Sequence, residues 1–167
     1  MKTVLHILAG LGAGMLLLVL LSCTKGGLPS AAEQQEMNLE PKQEESRMPG
    51  KIQITISGTT LPVIIENNAA TRALVAALRE SPLTFTASDY GGFEKVGSLG
   101  RSLPTSNAQL TTEPGDVILY NGSSVVLFYG SNSWSYTRLG KIQYPTLDEL
   151  KSFLKAGGGD ISVTLSL

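Results

Sequence analysis

Between Lys51 and Leu167 most apolar runs read as short strands, several of them alternating with a period of two, and only two stretches keep a helical period. That imbalance limits the fold more than any other feature. Each strand of an open sheet needs cover on its apolar face, and the outermost strands leave unpaired main-chain groups. Two short helices cannot cover both faces of so many strands. A sheet closed on itself, with the helices plugging its ends, solves both problems. The expected fold is therefore mainly β: a closed barrel capped by two α-helices.

The strand readings follow from named positions. In "KIQITIS" Ile52, Ile54 and Ile56 share one face, and after a turn at Gly58 "LPVIIE" returns as a second strand. Pro62 cannot donate to a ladder and is expected at an edge or a strand start. "LTFTAS" turns Leu83, Phe85 and Ala87 inward. A loop-rich middle is expected from Asp89 to Pro114. Two apolar runs then flank Asn121-Gly122, a strong hairpin signal, and their unbroken apolar character implies cover on both faces. "SWSYTRLGKI" (133–142) is read as the next strand. Its parity puts Tyr136, Arg138 and Gly140 on one face and Thr137, Leu139 and Lys141 on the other. The closing strand "DISVTLSL" aligns Ile161, Val163, Leu165 and Leu167.

The first helix is expected in "NNAATRALVAALRES", with Ala70, Ala73, Leu74, Ala77 and Leu78 on its apolar face. Asn67, Asn68 or Thr71 can cap it, and Ser81-Pro82 ends it. The second is expected in "PTLDELKSFLKAGGG". Thr146 and Glu149 form a capping box, Leu147, Leu150, Phe153 and Leu154 form the stripe, and Gly157 stops it.

The first 23 residues have a positive start, an apolar run and the ending "LLSC". This pattern matches a secretory signal with a bacterial lipobox, cut after Ser22 so that Cys23 becomes the lipidated first residue. Acyl chains, at ~0.8 kcal/mol per buried methylene, would then hold the protein to a membrane. A retained transmembrane anchor is the other reading of the same run. Residues 23–50 follow as a lipidated, flexible linker rich in Glu, Gln, Ser, Pro and Gly. As a coil it would span roughly 30 Å. The folded domain is expected over residues 51–167. Thr24, which is not an inner-membrane retention aspartate, points to the outer membrane, facing the periplasm, as the place in the cell envelope.

Residue counts exclude several chemistries. Lys and Arg total 13 against 14 Asp and Glu, so no basic footprint for nucleic acid is expected. Cys23 is the only cysteine and His6, inside the signal, the only histidine. A processed chain would have no disulfide, no thiolate nucleophile, no Ser-His-Asp triad and no histidine metal site. No metal and no cofactor is expected, and the glycines of "GGFEKVGSLGRS" lack the lysine, serine and following helix of a phosphate loop.

Taken in order, "NNAATRALVAAL", "PLTFTASDYGGFEKVGSLGRSLP", "EPGDVILYNGSSVVLFYG" and "SYTRLGKI" resemble the bacterial cyclophilin-like domain family, a group divergent from the orthodox cyclophilin peptidyl-prolyl isomerases. The resemblance spans nearly all of 51–167 and implies a cyclophilin-like barrel. The orthodox motifs F-H-R-V-I and F-M-x-Q-G-G, which supply the catalytic arginine and the proline pocket, are missing. The F-G-K-V strand has a counterpart in Leu139-Gly140-Lys141-Ile142. Aromatic and hydroxyl residues around Tyr136 stand where orthodox members have a histidine.

Candidate site residues are therefore those able to bind rather than react. Arg138 can donate paired hydrogen bonds to a carbonyl or carboxylate and is the one candidate for catalysis. It can equally be an outer-face arginine paired with Glu94, Asp89 or a helix carboxyl end. Trp134, Tyr136 and Tyr120 can floor a groove for a peptide or small ligand, as can Tyr129 and Phe128, or all can be barrel packing. Glu94 and Lys95 are expected beside them, with Asp89 the only acid near enough to pair with Glu94. The leading expectation is a peptide- or small-ligand-binding module on a lipid anchor. An isomerase assisting folding of exported proteins, with Arg138 as donor, is the alternative, and an envelope component without a cleft function is the third.

Overall fold

The computed structural model describes residues 47–167. The signal, His6, Cys23 and the linker up to residue 46 lie outside the described residues. Nine strands and two helices follow in order. They are β1 (Lys51–Ile56), β2 (Thr59–Ile65), α1 (Ala69–Glu80), β3 (Leu83–Tyr90), β4 (Glu94–Ser98), β5 (Ala108–Thr111), β6 (Asp116–Tyr120), β7 (Ser124–Phe128), β8 (Ser133–Ile142), α2 (Leu147–Phe153) and β9 (Ile161–Ser166).

Eight strands close a barrel in the order β2-β1-β9-β3-β4-β7-β6-β8, every pair antiparallel, and β2 then pairs with β8. The ninth, β5, lies on the first half of β8, from Ala108 opposite Tyr136 to Thr111 opposite Ser133. The long β8 thus has two jobs. Thr137–Ile142 belongs to the barrel wall, and Ser133–Tyr136 extends past it.

Inside the barrel, Ile52, Ile54, Val63, Leu119, Leu127, Leu139, Val163 and Leu165 are buried together. Leu74 and Leu78 from α1 and Leu150 and Leu154 from α2 join the same core. Burying each such side chain contributes roughly 1.5–3 kcal/mol. A second, smaller apolar cluster lies outside the wall: Ile118, Val126, Phe128 and Tyr136, backed by Phe93, Val96 and Leu110. This cluster is why β6 and β7 are apolar at successive positions.

The helices start as polar caps require. Asn68 caps α1 by accepting from the Thr71 amide at 3.0 Å, and Thr71 Oγ1 accepts from the Asn68 amide at 3.0 Å. Asn68 Nδ2 also donates to the Arg138 carbonyl at 2.7 Å, tying the helix start to β8. In α2 Thr146 accepts from the Glu149 amide at 3.3 Å. That helix ends at Phe153, earlier than Gly157, and Leu147 stays exposed outside the stripe.

The middle is more ordered than its composition suggests. Residues 89–114 contain the end of β3 and all of β4 and β5. The charged pair opening β4 hid that strand. Lys95 is fully buried, and its ammonium sits 2.7 Å from Asp89 and donates to the Gly159 carbonyl. Asp89 accepts further bonds from Tyr129 Oη, the Gly157 amide and the Gly159 amide at 3.0, 3.1 and 3.0 Å. Burial alone would raise the Asp89 pKa, but these donors, Lys95 first, lower it to about 2. The network pins the segment after α2 to the barrel.

Two expectations about strand geometry change. Pro62 lies within β2 rather than at its start, opposite Gln53. Its carbonyl accepts from Gln143, so its missing N–H falls on the β8 side, just beyond the pairing that begins at Val63. In β8 the register slips, with Ile118 opposite Arg138 but Val117 opposite Gly140. Leu139 is the extra residue, a bulge that reverses the parity after it. Gly140 therefore faces the barrel wall with Leu139, and Lys141 shares the outer side with Arg138. At Gly140 a Cβ would run into the Ile64 carbonyl of β2. Gly140→Ala should lower stability by about 1–3 kcal/mol through overpacking at this seam. A lower urea midpoint at unchanged m-value is the expected readout, and an unchanged midpoint would show that the seam can widen freely.

Candidate functional site

The hairpin turn Gly91-Gly92-Phe93, its two glycines at positive φ, joins β3 to β4 and sets Tyr90 directly opposite Glu94. On its other side Glu94 faces Phe128 of β7. Period-two alternation turns Glu94 and Val96 to the outside of the wall, while Lys95 points inward to Asp89. Lys95 and Asp89 are thus not groove residues, and Asp89 does not pair with Glu94.

Outside the wall lies a groove of about 400 Å³. Glu94 and Val96 of β4 and Val126 of β7 line it, with Tyr90 from the end of β3 and Tyr120 from the end of β6. Trp134 and Tyr136 of β8 line it too, with Asn132 from the turn before β8. Four of the residues singled out in the sequence, Glu94, Tyr120, Trp134 and Tyr136, therefore come together. Arg138 is not among them. It borders a separate recess with Glu66, Asp116 and Lys141. Its guanidinium reaches Asp116 at 3.0 Å and Glu66 at 3.9 Å, rather than Glu94, Asp89 or a helix end. Asp116 is buried; Arg138 offsets its charge, and the Glu113 amide donates to the same oxygen at 2.9 Å.

The aromatic residues divide by role. Phe128 is fully buried, stacked on Phe93 with centroids 6.2 Å apart, and edge-on to Tyr136 at 5.9 Å. Tyr136 is also edge-on to Tyr120 at 6.1 Å, and its hydroxyl accepts from Asn132 Nδ2 at 2.9 Å. Tyr129 joins the core and donates its hydroxyl to Asp89; burial and that acid push its pKa up to about 12. By contrast Tyr90 is 67% exposed and Trp134 56%. Large rings held this open have apolar surface free for a ligand. Sequence reading missed Tyr90, Val96, Val126 and Asn132. The spacing of Tyr90 and Glu94 across two glycines was a usable signal for the first.

Glu94 is the unusual group. The residue is only 6% exposed, and its Oε2 is buried with no hydrogen-bond partner. Burial raises its pKa from 4.5 to about 7. Near neutral pH it can therefore give or accept a proton, or accept a hydrogen bond from a bound group. Among the described residues no cluster of three or more His, Cys, Asp and Glu side chains has the arrangement to hold a metal ion.

The raised pKa fixes the sign of a stability effect. The folded state binds the Glu94 proton more tightly than the unfolded chain. Its contribution is complete below about pH 4.5 and is lost as pH rises through about 7. Glu94→Gln should abolish that loss. At pH 8 the variant should be more stable than wild type by on the order of 2 kcal/mol, allowing for the groove's access to water, with little difference at pH 4. Thermal unfolding of both proteins across this range checks it, and parallel profiles would contradict it.

Residues 54–166 match the cyclophilin-like family. Among solved structures, this chain is similar to the solution structure of a hypothetical protein from Archaeoglobus fulgidus. The two are 17% identical, with a TM-score of 0.49, over 72% of this chain and 97% of that one. No curated protein matches. The matched region takes in both helices and all but the start of β1, and the chain belongs to the cyclophilin-like family.

Proposed function

We propose that this is a lipid-anchored cell-envelope protein whose cyclophilin-like domain binds a peptide or small ligand in the outer groove. The single observation carrying the binding reading is the conjunction at that groove. Exposed rings of Tyr90, Tyr120 and Trp134 meet a buried carboxyl, Glu94, whose Oε2 has no partner. A purely structural wall would gain by covering those rings and by satisfying that oxygen. Apolar walls with a few convergent polar groups characterise ligand sites. The isomerase reading has less support. It needed Arg138 as the donor, and Arg138 is held by Asp116 away from the groove.

Trp134 is the only tryptophan in the chain, so its emission reports on the groove directly. The full chain in detergent, titrated with blocked tri- and tetrapeptides with and without proline, should show a saturable change in emission. Tyr120→Ala should weaken that binding at least 10-fold, in the range of an aromatic anchor. Silence of Trp134 towards the whole series would reject the peptide form of the reading.

The anchor reading rests on "LLSC" and its single cysteine. The protein would be held through Cys23 at the outer membrane, facing the periplasm. Metabolic palmitate labelling should mark the wild type, and Cys23→Ala should lose the label. A labelled Cys23→Ala protein would rule the lipidation site out.

A further inference from the structure

Resting on the groove reading above, we propose that the group the groove recognises is a protonated amine, its N–H bonded to Glu94 and its methylene stem lying on the rings of Tyr120, Trp134 and Tyr136. Glu94 lines the groove, is more than nine-tenths buried as a residue, and lacks a partner at Oε2. An acid in that position lacks a donor, and no lysine or arginine among the described residues lines the groove to supply one. Aromatic faces attract a cation through their quadrupoles, most strongly where water is displaced. A hydrogen-bonded ammonium would turn an uncompensated carboxylate into a charge-assisted pair. A quaternary ammonium could sit against the rings but would leave Oε2 unsatisfied, so primary and secondary amines fit best.

The groups facing Glu94 determine how binding depends on pH. They are phenols: Tyr90 from β3, Tyr120 from β6 and Tyr136 from β8, with Tyr129 near enough to feel its charge. Phe128 of β7 contributes no charge, and Asp89 and Lys95 are turned to the other side of the wall. Glu94, with a pKa near 7, is therefore the group that titrates in the neutral range. An ammonium binds its ionised form and a neutral acceptor its protonated form, so the two ligand classes give opposite slopes.

Trp134 emission is read with the full chain in detergent, from pH 5 to pH 8, with n-butylamine and n-butanol as matched probes. Butylamine should bind, about 10-fold more tightly for each pH unit up to about 7 and level above it. Butanol should bind at least 10-fold more weakly at pH 8, with no such slope. Glu94→Gln should reduce butylamine to the level of butanol and flatten its profile. An acetylated Ala-Lys-Ala amide binding at least 10-fold more tightly than butylamine would assign the amine to a lysine side chain of a peptide. Equal affinity would assign it to a free amine, and both outcomes support the proposal. Butanol matching butylamine at pH 8, or a Glu94→Gln protein that keeps the pH slope, overturns the amine while leaving groove binding intact. Silence of Trp134 towards both probes and the peptide overturns the amine and the groove reading together.

Discussion

The barrel is closed by a short ladder. Three residues of β2, Val63–Ile65, meet Ile142–Gly140 of β8, and without that seam the sheet would be an open array with two bare edges. The approach is so close at Gly140 that no larger residue fits without displacing the Ile64 carbonyl. The bulge at Leu139 lets one strand serve both the closure and the groove. It keeps Leu139 and Ile142 in the core while Tyr136 and Arg138 stay outside. Asn68 then fastens α1 to β8 through the Arg138 carbonyl. Closure, helix placement and the aromatic wall thus converge on ten residues.

Two buried charges in adjacent positions show how differently one strand can use its faces. Lys95 points inward and is satisfied by Asp89 and the Gly159 carbonyl, so its charge is part of the fold. Glu94 points outward among Tyr90, Phe128 and Tyr136 and is not satisfied. The first arrangement repays desolvation within the protein. The second leaves the deficit for a ligand or a proton to fill. Unpartnered buried polar groups in folded proteins call for such an explanation.

Much of this was legible in the residues. Ile52, Ile54 and Ile56, the Asn121-Gly122 hairpin and both helices follow from local periodicity and turn chemistry, and they are enough to imply a closed barrel. Glu94 and Lys95 do not read as a strand, because two adjacent charges in a glycine-rich stretch look like solvated loop. Only the fold shows that each is buried for a separate reason. The partners of Arg138 were also hidden. Asp116 and Glu66 are distant in sequence, and a bulge shifts the register that would predict which residues meet. Period-two reasoning places side chains correctly until an extra residue enters the ladder, as it does at Leu139.

Glu94 is an unpaired acid held in an apolar groove. Carbon-13 NMR titration of the side-chain carboxyls, with Glu94→Gln used to assign its resonance, tests this without any ligand. The midpoint for Glu94 should lie near pH 7. A midpoint near the ordinary value of 4.5 would mean that water or a neighbouring donor already satisfies the carboxyl, and would contradict it.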